Sequence, residues 1–193
     1  MVSRSLVLEG KFVRLEPLSA SHAIDLRRLA DEVTLAYLNL WHPVSTEDAM
    51  AELINRVLNA EESVFFAVID RGTGQAVGST SYLDLRPAHR SLEIGNTWIG
   101  REAQGTAINP EMKLLLLEHA FESLDCVRVQ LKTDARNVQS QAAMRKLGAV
   151  CEGTLRQHLI CRDGFIRDTV MFSILDSEWP AAREGLRQRL TVR

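Results

Sequence analysis

The chain has 193 residues, 46% of them hydrophobic and 25% charged, with a formal net charge of −2. That mix fits one soluble globular domain with room for a substantial core, and the slightly negative balance argues against a general nucleic-acid binder, which carries a basic face. No stretch approaches the ~18 consecutive apolar residues of a membrane span, and the opening ten residues lack the apolar run of a signal peptide. The three cysteines, Cys126, Cys151 and Cys161, are irregularly spaced. They point to a reducing, cytoplasmic setting, with each thiol packed in the core, and to neither a disulfide framework nor a zinc site.

Lys11 to Pro17 reads as a short strand closed by proline. Ser19 then caps a helix expected to bury Ile24, Leu26, Leu29, Ala30 and Val33. Ser45 with Asp48 resembles a capping box, with Asp where Glu is usual. The helix behind it shows Ala49, Leu53 and Val57 at steps of four, with Ile54 and Leu58 beside them. Strand character follows over Ser63–Asp70, Ala76–Leu85 and Ser91–Ile99, the first two joined by the turn Arg71-Gly72-Thr73-Gly74. A long helix runs from about Asn109 to Leu124, with Asn109 at the N-cap, Pro110 at the first helical position and Glu111 in the first turn.

Val127–Thr133 is a strand rich in branched residues. Asn137 caps a shorter helix that ends at Leu147, with Gly148 just beyond. Strands Ala149–Cys161 and Phe165–Leu175 are joined through Asp163-Gly164, a hairpin signal, and a short peripheral helix follows Trp179, over 180–193. No repeat or linker divides the chain, so the reading is one domain spanning 1–193 with its core between about 10 and 179. The order β-α-α-β-β-β-α-β-α-β-β predicts a mixed α/β (α+β) fold with an antiparallel first half and a crossover helix between the fourth and fifth strands.

The segment Trp98 to Pro110 leads from a strand through a loop with two glycines into a capped helix. Backbone N–H groups at a helix start bind phosphate oxygens, and the small residues Gly105 and Ala107 let a pyrophosphate approach the main chain. The same loop also serves as a plain strand-to-helix turn. Farther on, a second strand runs into Asp134-Ala135-Arg136-Asn137-Val138-Gln139-Ser140 and a helix.

Together these segments resemble the GNAT superfamily of acyl-coenzyme A-dependent transferases. Gln104-Gly105-Thr106-Ala107 matches the end of its pyrophosphate motif, Asn137-x-x-Ser140 the motif after its fifth strand, and Leu147-Gly148 the end of the next helix. Glu93-Ile94-Gly95, Gly105-Thr106-Ala107-Ile108-Asn109 and Phe172-Ser173-Ile174-Leu175 look like the RimJ/RimL-like, ribosomal-protein acetyltransferase-like branch. The resemblance spans about Gly10 to Trp179. Two departures stand out. Glu102 occupies the motif position usually held by Gln or Arg, with Arg101 one place early, and Met144 stands where many members carry the tyrosine that protonates the leaving thiolate.

The resemblance implies a mostly antiparallel sheet of about seven strands, splayed between the fourth and fifth and flanked by helices. It implies acetyl-CoA as co-substrate without a metal, and direct transfer of the acetyl group to a primary amine, either a protein N-terminus or a small molecule. The family also includes homodimers. The main chain of Thr97, Trp98 and Ile99 is expected to hold pantetheine, the amides of Gln104, Gly105, Thr106, Ala107 and Ile108 the pyrophosphate, and Asn137 pantetheine from the other side. Ser140 is the expected replacement for the missing tyrosine. Glu93 on the fourth strand is a candidate base or a structural carboxylate paired with Arg128, and His158 is a second candidate base or a surface histidine. Arg156 and Arg167 are candidates for an anionic acceptor, and Trp41, His42 and Tyr82 for the acceptor pocket. Alternative readings are another acyl-CoA donor, a drug amine as acceptor, or a non-catalytic CoA-binding module. No nucleic acid or membrane is expected as a partner.

Overall fold

Apolar residues alternate along the strands, so the sheet has two faces to bury, and helices cover both. A computed structural model describes residues 2–59 and 63–191. Within them the chain runs β1 (Leu8–Glu9), β2 (Val13–Pro17), α1 (Ala23–Leu29), α2 (Glu47–Leu58), β3 (Val64–Asp70), β4 (Ala76–Arg86), β5 (Ser91–Ile99) and α3 (Ile108–Glu118). It continues through β6 (Arg128–Asp134), α4 (Val138–Leu147), β7 (Val150–Ile160), β8 (Ile166–Leu175) and α5 (Trp179–Thr191). The strands form one sheet in the order β1-β2-β3-β4-β5-β6-β8-β7. The sequence predicts about seven strands; the additional one is the two-residue β1, which pairs Leu8 with Leu15.

Phe66, Val68, Tyr82, Leu92, Ile94 and Val129 pack with α3 and α5 on one face. Phe65, Ala67, Ile69 and Trp98 pack with α1 and α2 on the other. The parallel pair β5–β6 holds register only over Ser91↔Arg128, Leu92↔Val129 and Glu93↔Gln130. Beyond it, β5 runs on to Ile99 and β6 to Asp134 without pairing to each other. At the divergence β5 carries a bulge in which Asn96 and Thr97 oppose Thr80, with Asn96 at φ 47°. Strict alternation from Ile94 would put Trp98 on the same face. The extra residue flips it to the α1/α2 side and gives Thr97 the α3 side.

Several boundaries differ from the sequence reading. The first helical segment starts with a 3₁₀ turn over Ala20–His22, where the Ser19 amide donates to His22 Nδ1 at 3.1 Å. Regular helix ends at Leu29, so the phase that would bury Val33 is lost, and Val33 is 69% exposed. Ile24 also faces out, because Ala23 and Leu26 define the buried stripe. Thr46, not Ser45, caps α2, its hydroxyl accepting from the Ala49 amide at 3.2 Å.

Helix α3 starts before Asn109. Ala107 is the N-cap and Ile108 donates to Thr106 Oγ1 at 3.2 Å, which makes Pro110 the third helical residue. Regular α3 stops at Glu118, and His119–Ser123 form a wide π turn. Helix α5 is not peripheral: Trp179, Ala182 and Leu186 are buried, and Trp179 stacks on Phe121. Of the cysteines only Cys126 is buried; Cys151 is exposed and Cys161 partly covered.

Candidate active site

The divergence of β5 and β6 opens a cleft of about 890 Å³. Its walls are the free edges of the two strands, the loop 100–107, the first turns of α3 and α4, the segment after α1, and part of α5. Of the residues singled out from sequence, Glu93, Thr97, Trp98, Ile99, Gln104, Gly105, Thr106, Asn137 and Ser140 line this one space. Ala107 and Ile108 do not line it.

At the head of the cleft, Gly105 adopts φ +74°, a backbone conformation that L side chains rarely adopt, and a Cβ there would project into open space. The loop amides are less available than the motif implies. Gln104 donates to Arg101 O at 3.1 Å, Thr106 to Ala103 O at 3.4 Å and Ile108 to the Thr106 hydroxyl at 3.2 Å. Local turns already use these donors. What remains for an anion is the positive end of α3 with the basic side chains Arg101, Lys146 and Arg189, all lining the cleft. Arg101 also meets Asp31 at 3.1 Å.

On the opposite wall Asn137 caps α4, its Oδ1 accepting from the Ser140 amide at 2.9 Å. This fixes Asn137 and Ser140 relative to each other. Met144, one turn farther on, lines the cleft where a tyrosine hydroxyl is absent.

The α1/α2 side of the cleft is polar and buried. Glu93 is 1% exposed; its Oε2 meets Lys132 Nζ at 2.9 Å and accepts from Gln130 Nε2 at 3.0 Å. Its Oε1 is buried without a hydrogen bond. Gly95 makes room for it, since a Cβ there would come within 2.7 Å of that oxygen. The partner of Glu93 is thus Lys132 rather than Arg128, which binds Glu152 through two 2.5 Å contacts. Arg128 and Lys132 flank Gln130 on the same face of β6, and the Glu152 carboxylate on β7 engages Arg128, which leaves Lys132 for Glu93.

Nearby, Asp134 is 1% exposed and accepts from Arg136 Nε and Nη2 at 3.0 and 2.7 Å. Burial raises its pKa, but these bonds and the Arg136 amide outweigh it and hold the carboxyl below its ordinary value. Arg167 on β8 lies beside this pair.

Other sequence candidates fall outside the main cleft. His158 is exposed on β7 and lines a second cavity of about 430 Å³ that shares Glu93, Lys132 and Leu83 with the first. Arg156 and His42 line neither cavity, and burial holds His42 below its usual imidazole value. Trp41 is 1% exposed and packs edge-on against Trp98. Tyr82 is fully buried on the α3 face, donating to Leu116 O at 2.6 Å and stacking on His119. The β-alternation that carries Phe66 and Ile94 to that face carries Tyr82 there too.

Sequence reasoning missed Lys113. It lies in the cleft on α3 and donates to Thr97 Oγ1 at 3.1 Å. Desolvation pushes its pKa down to about 7, although the side chain keeps some contact with the cleft space. The available signal was helical spacing: Asn109, Pro110 and Lys113 share one face of α3, the cleft face.

A cleft between two diverging parallel strands, headed by a helix N-terminus, has the shape and lining to take an extended ligand with an anionic end. Residues 13–150 match the family described as Acetyltransferase (GNAT) domain. The chain is 38% identical to a solved protein of T. thermophilus, provisionally described as an acetyltransferase, with a TM-score of 0.91 over 98% of this chain and 100% of the other. It is 33% identical over 106 residues to YdaF of Bacillus subtilis (strain 168), provisionally described as a ribosomal N-acetyltransferase. It is 26% identical over 104 residues to the ribosomal-protein-serine acetyltransferase of Escherichia coli (strain K12). These stretches cover 55% and 54% of this chain, and the chain spans 57% and 58% of the length of those two relatives. The chain belongs to the GNAT acetyltransferase family.

Proposed function

We propose that the protein is an acetyl-CoA-dependent N-acetyltransferase that binds donor and a primary amine together, the amine being a protein N-terminus or a small molecule. The observation that carries this reading is the shared cleft: the unpaired edges of β5 and β6, Gly105 at its head, and Asn137 with Ser140 on its flank. The residues fit the donor. The edge of β5 over Thr97–Ile99 offers backbone groups to pantetheine amides as a neighbouring strand would, and Asn137 offers polar atoms from the other wall. The phosphates fit the start of α3 and its basic neighbours. Acetyl-CoA supplies an activated acetyl group.

The chain's own groups do the rest. An alkyl ammonium is mostly protonated at pH 7 and must lose a proton to attack. Glu93 holds one carboxylate oxygen buried in the cleft without a hydrogen bond, suited to accept that proton directly or through water. Lys132 and Gln130 fix its other oxygen. Ser140 stands on the flank with a hydroxyl to donate to the leaving sulfur. Three free cysteines suit a cytoplasmic enzyme, and among the described residues no helix is long and apolar enough to cross a membrane.

The test is a thiol-release assay with acetyl-CoA and a panel of amines, paired with calorimetry. Binding heat with acetyl-CoA and amine-dependent release of CoA support the reading. Binding without release for any amine favours a non-catalytic CoA-binding module. No binding heat refutes the donor assignment.

A further inference from the structure

The acceptor end of the cleft contains a buried cation whose bonding is incomplete. The Arg167 side chain is 8% exposed and lines the cleft. Its Nη1 makes one long bond, 3.4 Å, to Tyr37 O. Its Nε is buried with no hydrogen bond, 3.9 Å from Asp134 Oδ2. At that distance Asp134 forms an ion pair with Arg167 but no hydrogen bond, its carboxylate being drawn to Arg136 at 3.0 and 2.7 Å. Burial lowers the pKa of Arg167, with the Asp134 and Glu93 carboxylates opposing. A guanidinium presents five donors in a fixed fork matched to a carboxylate, and leaving them unpaired inside a protein is costly.

Glu93 is its complement on the same sheet face. Alternation along β6 and β8, with Glu93↔Gln130, Lys132↔Met171 and Asp134↔Thr169 in register, puts Glu93 and Arg167 on the same side of the sheet. Glu93 offers an unpaired acceptor oxygen, Oε1, and Arg167 an unpaired donor, Nε. The overall charge of the cleft points the same way. Among the described lining residues Glu93 is the one acid; with Arg101, Lys146 and Arg189 at the phosphate end, the cations left on its side are Lys113, Lys132 and Arg167. A polyamine would bring two or more positive charges into that field.

We infer that Arg167 determines acceptor specificity by binding a carboxylate of the acceptor while Glu93 faces its amine, so the favoured acceptors are amino carboxylates rather than polyamines or amides. This rests on the amine-acetylating reading above. Transfer forms the amide C–N bond and breaks the C–S bond of the donor; the proton lost by the ammonium leaves through Glu93, and the thiolate is protonated to free CoA. Arg167 takes no part in these steps and acts on acceptor binding.

The experiment compares free alanine, methionine and phenylalanine with their carboxamides and with spermidine at saturating acetyl-CoA. For the wild-type protein kcat/KM for the acids exceeds that for the amides and spermidine by at least about tenfold, the scale of one charged hydrogen-bonded contact. Arg167→Gln raises KM for the acids by about the same factor, leaves kcat within a few-fold, and leaves the carboxamides nearly unchanged; Arg167→Lys recovers part of the preference. Melting curves check folding, with Arg167→Lys as the variant that keeps the charge beside Asp134. Calorimetric titration of the acids and carboxamides into protein with and without CoA gives the same comparison without turnover. Equal use or equal binding of acids and carboxamides by the wild type overturns the proposal, as does a loss in Arg167→Gln that is the same for both. Absence of acetyl-CoA binding instead removes the donor reading and leaves the amino-carboxylate titration as the deciding measurement.

Discussion

Lys113 Nζ donates to Thr97 Oγ1 at 3.1 Å, and the same hydroxyl meets Thr80 Oγ1 at 2.8 Å. A lysine on α3 is thereby tied to the bulged part of β5, with hydroxyls rather than a carboxylate as its polar company. Its pKa of about 7 follows from desolvation. In the unfolded chain the group titrates near 10.5. Between these values the unfolded chain holds a proton that the folded one has lost, so this group makes stability rise with pH from about 7 to about 10.5. Below 7 both states are charged and the cost of burying the ammonium is fully present. Lys113→Met is therefore expected to melt above the wild type at pH 6, with an advantage that shrinks steadily as pH rises to 9.5. Paired melting curves across that range check it; parallel curves would show that the lysine stays charged.

Ser140→Ala separates chemistry from architecture. A hydroxyl that assists the departing sulfur contributes only as negative charge develops, so its loss lowers kcat by about 10²–10⁴-fold with acetyl-CoA affinity nearly intact. The cap bond of Asn137 uses the Ser140 backbone amide, which alanine retains, so the melting temperature should hardly move. Full turnover in the alanine variant would leave water as the proton donor.

Gly105→Val tests the head of the cleft. The φ of +74° strains any side chain there, by about 1–2 kcal/mol, so a fall of a few degrees in Tm is expected. The new side chain projects into open space at the cleft, and Kd for CoA should rise by about tenfold or more. A folded variant with unchanged affinity would reduce the loop to a turn.

Glu111 predicts a purely structural loss. It is 6% exposed and its carboxylate accepts from the amides of Lys11, Phe12 and Val13 at 2.8, 2.6 and 2.7 Å. Glu111→Ala strands these donors and should cost about 3 kcal/mol or more, read as a lower denaturant midpoint. Acetyl-CoA affinity of the folded fraction should be preserved.

The sequence made the strands and the two ligand-facing junctions readable because period-two alternation, Gly105, Asn137 and Gly148 are local signals. Ser91–Ile99 has the same bounds in the structure, and Asn137 caps its helix as expected. What was not readable depends on partners distant in the chain. The bulge at Asn96 flips Trp98 without any mark in composition. Glu93 finds Lys132 rather than Arg128 because Glu152, from a strand later in the chain, engages Arg128. Tyr82 looked available for a pocket, yet strand alternation buries it under α3. Lys113 directly precedes the apolar run Leu114–Leu117, and only the approach of β5 turns it into a cleft residue.

The three-pair contact between β5 and β6 has a further consequence. Past Glu93 and Gln130 each strand keeps one row of backbone groups without a strand partner, while its other row is occupied by β4 or β8. Open rows of this kind are normally found at the rim of a sheet, where they invite another chain to add on. Here they face each other inside the molecule, across a gap bounded by α3, α4 and the loop at Gly105. The fold has converted an aggregation-prone edge into an internal slot, open to a slender chain of amides.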